Sequence, residues 1–333
     1  MIRKMFFTAL VVCASLSTFA QNNEDGTSFK ANGKPIVNIF TDFRYSIQDG
    51  KTNPAFEVTR AYFGYIYNFT PNFSTKVLLD VTSNNKSGTF PSAYSAYIKY
   101  AFGEYTNKIF TVDFGMIDTN LFGIQETMWG RRYIMKAILD INEFGSRADL
   151  GVGVKIQASP RLSFDAQIVN GEGYQKVQAD STVKISAGIS YEPVKHLFFR
   201  LYGDYMKKNT EQSSFSAMVA YKNERLTLGG EYDYQKGHKM IKGHNFHDFS
   251  IWGAFRASHT TGIFARYDYT VSDKTTGEGE SWNGTKDGQT YAAGVEFFPV
   301  KGIAISPNIQ ISNPKLKSGK QITNILVNFA FSL

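Results

Sequence analysis

The sequence has a single cysteine, Cys13, and it sits in a leader. Residues 1–20 read MIRKMFFTALVVCASLSTFA, with Arg3 and Lys4 ahead of an apolar run and small residues Thr18 and Ala20 before Gln21. A basic start, a short apolar stretch and a small-residue cleavage site describe a secretory signal peptide. Its apolar run is shorter than the ~20 residues a membrane helix needs. With the leader removed, the chain has no disulfide, no thiol nucleophile and no thiolate metal ligand. Beyond Ala20 there is also no run of eighteen apolar residues, which excludes a helical membrane span. Only nine prolines interrupt the chain. The formal charge of +7 falls to +5 without Arg3 and Lys4. Such a small excess, interleaved with acids, does not describe a nucleic-acid binder.

Catalytic and metal signals are equally scarce. There is no G-x-S-x-G elbow and no G-x-x-x-x-G-K-S/T phosphate loop. His238, His244 and His247 fall within one connection and read as a solvated loop rather than a metal site. No catalytic residue, metal or cofactor is assigned.

What is present is alternation. Val37, Ile39, Phe43 and Tyr45 alternate with Asn38, Asp42 and Arg44. Residues 73–82, 94–102, 149–157, 183–192 and 303–312 do the same. Side chains on a strand point to opposite faces in turn, so each segment has one apolar and one polar face. In residues 56–67 both faces carry aromatics and the phase is unclear. About sixteen segments of roughly ten residues emerge, as in transmembrane β-barrels. Their starts fall near residues 35, 55, 73, 92, 108, 147, 161, 182, 197, 215, 226, 248, 262, 289, 302 and 321.

The connections between segments alternate in length. Short ones span 69–72, 103–107, 159–160, 193–196, 222–225, 257–261 and 299–301; long ones span 48–54, 83–91, 118–146, 170–181, 207–214, 235–247, 272–288 and 313–320. Tight turns on one side and loose loops on the other are what an up-and-down meander crossing a membrane produces. Phe69, Phe73, Phe102, Tyr105, Phe110, Tyr191, Phe199, Tyr221, Phe297 and Phe298 crowd the short-turn end, where an interfacial aromatic belt belongs. Closing the sheet satisfies every backbone group, which lipid demands. The expected organisation is a signal peptide over 1–20, an N-terminal periplasmic segment over 21–34 and a transmembrane antiparallel barrel over 35–333.

A barrel of this size leaves an aqueous lumen unless something fills it. Its polar wall supplies Arg44, Lys99, Asp113, Asp149, Lys155, Arg200 and Arg266. The connection 118–146 is too long for an idle loop and too apolar for a solvated one, with Trp129, Met128, Met135 and Leu139 among its residues. Met128, Arg132, Met135 and Leu139 share a helical spacing. The simplest home for this surface is inside the barrel, as a constriction loop presenting Arg131, Arg132, Lys136, Glu126, Asp140 and Glu143 to the pore. The alternative home is outside, against a neighbouring subunit.

The segments Trp129-Gly130-Arg131-Arg132-Tyr133-Ile134 and Ser146-Arg147-Ala148-Asp149-Leu150-Gly151-Val152 make the chain resemble a Bacteroidetes-type porin similar to the phosphate-selective porin O and P family. The resemblance implies a sixteen-stranded outer-membrane barrel, a homotrimer, with basic residues near a loop constriction. The loop lacks the dense lysine cluster that would hold phosphate. The last strand, from Thr323 to Leu333, looks like the terminal strand read by the barrel-assembly machinery, though it ends in Leu rather than Phe. The expected partners are therefore outer-membrane lipid and lipopolysaccharide, the assembly machinery, and small ions and polar solutes. Two rivals remain at this point. A barrel lipase needs a Ser–His pair on the outer face near the membrane rim. A structural or adhesive barrel needs a plugged lumen.

Overall fold

The computed structural model describes residues 29–83, 94–274, 279–316 and 319–333. The signal peptide expected over 1–20 lies outside the described residues. From Asn32 to Leu333 the chain forms a compact unit, the second of two. That second unit is a closed barrel of sixteen antiparallel strands, each paired with its neighbours in the sequence. β1 (Asn32–Gln48) pairs with β16 (Ile322–Ser332) from Asn38↔Ser332 to Gln48↔Ile322, which closes the ring. The other strands are β2 (Lys51–Asn68), β3 (Phe73–Ser83), β4 (Tyr94–Thr106), β5 (Phe110–Asp118), β6 (Ala148–Ser159) and β7 (Leu162–Val169). There follow β8 (Lys184–Tyr191), β9 (Leu197–Lys207), β10 (Glu211–Lys222), β11 (Leu226–Lys236) and β12 (Phe246–Arg256). The circuit ends with β13 (Thr261–Ser272), β14 (Gly288–Phe297) and β15 (Ile303–Pro314). Every segment expected from alternation is a strand.

Alternation fixes the faces. On β12, Asp248, Ser250, Trp252 and Ala254 are buried, whereas Phe249, Ile251 and Phe255 are exposed on the outer surface. The rest of the outer surface repeats this, with Ile185, Leu201, Val219, Leu228, Ile263, Ile309 and Ile325 exposed. Such a coat costs free energy in water, at ~25 cal/mol per Å² of apolar surface, and none in hydrocarbon.

Aromatics band this coat at two heights. The short-turn end carries Phe69, Phe73, Tyr191, Phe199 and Phe297, as the sequence suggests. The opposite end carries a tyrosine band that the sequence reading did not single out: Tyr205, Tyr232, Tyr234, Tyr267, Tyr269 and Tyr291. Tyr267 and Tyr291 lie 5.1 Å apart, ring to ring. A ring with a polar tip suits the boundary between hydrocarbon and headgroup.

Three expectations change. Two connections expected to be long, 48–54 and 207–214, are short; β9 ends at Lys207 and pairs with Glu211, where β10 begins. β1 and β2 run to Gln48 and Lys51 and meet in a two-residue turn at Asp49 (φ 51°) and Gly50 (φ 71°). Both residues adopt the left-handed conformation that such hairpins require. The alternation of β2 and β4 is also broken by bulges. Arg60 pairs with Phe40 and Val58 with Thr41, leaving Thr59 as the extra residue. Leu78 pairs with Tyr100 and Leu79 with Ile98, leaving Lys99 extra. Each bulge flips the strand's phase, which is why residues 56–67 have no single apolar face. The flip turns Tyr100 and Phe102 inward beside Lys99, so Phe102 leaves the outer aromatic belt. Finally, the helical spacing from Met128 to Leu139 is not one helix. The segment holds two short ones, α1 (Gly123–Trp129) and α2 (Ile138–Ile141). Gly130 (φ 69°) ends α1 in a left-handed cap whose N–H donates to the Glu126 carbonyl.

Gly115 in β5 has φ +125°, and a Cβ there would sit 2.4 Å from the Ala101 carbonyl oxygen. Gly115→Ala should therefore destabilise the barrel by about 1–3 kcal/mol. The temperature at which the folded gel band converts to the unfolded one should fall; an unchanged temperature would contradict this backbone assignment.

Candidate functional site: the loop-lined constriction

The connection between β5 and β6, residues 119–147, folds into the barrel. Its apolar residues explain why. Trp129 (1% exposed) and Ile134 pack with Met218, Trp252, Ala254, Phe264 and Ala292, all from the inward faces of β10 and β12–β14. Leu121, Phe122, Leu139 and Phe144 form a second cluster with Tyr202 and Phe246. These contacts lie across the lumen from the loop's own strands, so the outside position is ruled out.

Polar contacts fix the loop at both ends and in the middle. Arg131 Nε donates to Glu296 Oε2 at 2.8 Å, and the Tyr133 hydroxyl donates to Glu296 Oε1 at 2.9 Å. Arg266 donates to the Lys136 carbonyl at 2.8 Å while pairing with Asp268. Asn142 donates to Asp248, and Gln235 to the Phe144 carbonyl. Arg200 (2% exposed) bridges Asp165 and the Asn120 carbonyl, each at 2.7 Å. A loop this heavily bonded is a fixed part of the lumen.

The candidate residues thus divide. Arg131, Arg200 and Arg266 hold the loop to the wall. Asp149 accepts from the N–H groups of Leu150 and Gly171 and shapes a turn. Arg44 bridges Asp42 and Glu57 on the wall of β1 and β2. Arg132, Lys136, Asp140 and Glu143 border an outer chamber of about 780 Å³. Lys155 borders an inner chamber of about 640 Å³ near the short turns. Glu126 is buried between Arg132 and Arg147. Asp113 is buried on the inward face of β5, opposite Glu104.

Between the chambers the loop meets the wall of β2–β4. Arg132 Nη2 lies 3.4 Å from the Tyr62 hydroxyl, and Lys99 Nζ lies 3.3 Å from the same oxygen. Lys99 also sits 4.4 Å above the Tyr62 ring, and Lys76 sits 4.4 Å above the Tyr100 ring. The bulges at Thr59 and Lys99 aim these side chains together. Sequence reasoning missed Tyr62, Arg60 and Tyr100, because a bulge leaves no mark in an alternating pattern.

Charge at the constriction is unevenly matched. Arg132 pairs with Asp140 at 3.1 Å and Arg60 with Asp80 at 2.9 Å. Lys76 and Lys99 have no carboxylate within 4 Å among the described residues. The outer chamber adds to the excess. Arg60, Arg132, Lys136, Arg147, Lys176, Lys184, Lys208 and Lys239 face Asp140, Glu143, Glu172 and Asp180. Burial opposes ionisation of Asp140, but Arg132 and Lys136 outweigh it and hold its carboxyl below the usual range. Burial likewise penalises the Arg147 cation, but Asp118 and Glu126 keep it firmly charged.

Residues 237–245 meet Trp282, of the connection between β13 and β14, at the long-loop end of the barrel. Trp282 is stacked between His244, at 4.2 Å, and His238, at 5.5 Å. His238 Nδ1 lies 2.6 Å from Gln235 Oε1. Gln235 already donates from its amide nitrogen, so Nδ1 carries the proton here. Burial, followed by Lys239, pushes His238 from 6.5 down to about 4. The unfolded group therefore binds more protons across that window. The stabilisation is complete above pH 6.5 and is lost as the pH falls towards 4. Tryptophan fluorescence should change over this range and the change should vanish in His238→Phe; a flat trace in the parent protein would contradict it.

His247 lies on the outward face near the rim, where a barrel lipase would place its histidine. Its Nδ1 meets the Tyr232 hydroxyl at 3.0 Å and its Nε2 lies 3.6 Å from Asp273; among the described residues no serine is bonded to it.

No family model matches the chain, and no curated protein matches it either. Solved structures do. The outer membrane channel DcaP of Acinetobacter baumannii is 14% identical with a TM-score of 0.65, over 92% of this chain and 99% of that one. The anion-selective porin from Comamonas acidovorans is 9% identical with a TM-score of 0.66, over 91% and 100%. OmpT of Vibrio cholerae, in its trimer form, is 12% identical with a TM-score of 0.60, over 92% and 100%. At such identities the likeness is one of fold. The chain has the fold of the sixteen-stranded outer-membrane porins, with a loop folded into its lumen.

Proposed function

We propose that the protein is an outer-membrane porin, a passive channel for small polar solutes and ions with a modest preference for anions. One observation carries the preference: Lys76 and Lys99 face the constriction without a carboxylate in ion-pair distance among the described residues. An anion passing there meets positive charge in a low-dielectric setting, where a unit charge ~5 Å away is worth ~3 kcal/mol at an effective dielectric of 20. Paired charges elsewhere on the wall dilute the effect. Phosphate is one candidate among the small anions. The apolar coat and the two aromatic bands support a bilayer setting, with lipopolysaccharide beside the tyrosine band. The trimeric state of a fold neighbour supports a homotrimer here. The chain does its work without catalysis on this reading.

Liposome swelling offers a test. Vesicles carrying the folded protein should swell faster in an organic anion than in an uncharged sugar or an organic cation of matched size. Equal rates would remove the preference, and no swelling would remove the channel.

A further inference from the structure

We propose that the barrel wall behind α1 binds a hard metal cation through oxygen atoms of Gln125, Glu231 and Asp233. The inward faces of β11–β13 bring four carboxylates together. Asp233 lies opposite Asp248, and Glu231 lies opposite Ser250, which lies opposite Asp268. Two of the four are satisfied. Asp248 accepts from Asn142 and Thr270, and Asp268 accepts from Arg266 and Ser250. The other two are not. Asp233 is 0% exposed and has only the Ser216 hydroxyl beside it as a donor, at longer than ordinary hydrogen-bond distance, and Glu231, at 7%, has Oε2 without a donor.

A separate element points at the same place. Gln125 of α1, 1% exposed, donates its amide to Ser216 Oγ at 3.2 Å. Ser216 is the β10 partner of Asp233. The Gln125 carbonyl oxygen accepts nothing. Four buried acceptor atoms from three side chains thus lie on neighbouring positions with one distant donor, the Ser216 hydroxyl, among them. Burying ionised acceptors without donors is unfavourable, and such groups are ordinarily paired or hold a cation. An oxygen-only set of two carboxylates and an amide suits a hard ion such as Ca²⁺ rather than Zn²⁺. No three acidic or histidine side chains among the described residues already close on one point. The ion therefore takes the Gln125 oxygen and water with Glu231 and Asp233. Bound there, it ties α1 to β11 and fixes the loop from behind.

Trp129 lies one turn beyond Gln125 and packs on Met218, the β10 partner of Glu231. It is therefore placed to sensitise a lanthanide. The test uses full-length folded protein in detergent, free of lipopolysaccharide and stripped with a chelator. Ca²⁺ should raise the temperature of loop melting, followed by tryptophan fluorescence. Tb³⁺ should show tryptophan-sensitised emission that Ca²⁺ displaces. Asp233→Asn should abolish both responses, as should Gln125→Ala, which keeps the barrel strands intact if Asp233→Asn does not fold. Glu172→Gln on the outer chamber should leave both unchanged. The proposal is overturned if Ca²⁺ shifts nothing, or if the shift survives both site substitutions. A melting temperature that follows pH alone also overturns it, since protons then fill the role.

Discussion

Replacing Trp129 with alanine should widen the channel while the barrel stays folded. Trp129 is almost fully buried between the loop and the wall, against Trp252 and Phe264 at ring distances of 6.4 and 6.0 Å. Truncating such a side chain costs about 3–5 kcal/mol. The cost falls on docking of the loop, because the ladder of β1–β16 does not run through Trp129. Glu296 and Asp248 still tether the loop, so it loosens rather than leaves. Single-channel conductance should rise severalfold and become noisy, while the folded form should remain resistant to detergent at room temperature. An unchanged conductance would place the loop's resistance to flow elsewhere.

The double substitution Lys76→Gln with Lys99→Gln should remove most of the anion preference. The two ammonium groups lie over Tyr100 and Tyr62, and neither forms an ion pair among the described residues. Removing ~1–2 kcal/mol of bias from an anion's path changes the permeability ratio by roughly tenfold. Arg132, Arg60 and Arg147 remain, each matched by a carboxylate. The reversal potential in a salt gradient should move towards zero. If it holds its parent value, the preference comes from the outer chamber instead.

The fold was legible because a barrel writes itself one strand at a time. Strict alternation at Val37–Tyr45 or 303–312 needs no long-range information, and each strand start lies within a few residues of the observed one. The inward course of the 119–147 loop was legible for the same reason: Trp129, Leu139 and Phe144 had to be buried somewhere. The constriction was less so. Its loop residues Arg132, Lys136 and Asp140 stand out in the sequence, but its wall depends on two bulges that a one-residue count cannot reveal. Arg200 and Arg266 read as pore cations, yet they spend their donors on Asn120 and Lys136 carbonyls across the lumen. Such bonds join residues 80 or 130 positions apart and leave no local trace.

The most direct test of a wet, weakly anion-preferring channel is the current through one folded protein in a planar bilayer under a potassium chloride gradient. Discrete conductance steps with a reversal potential on the chloride side are expected. An electrically silent bilayer, or a reversal potential on the potassium side, would contradict it.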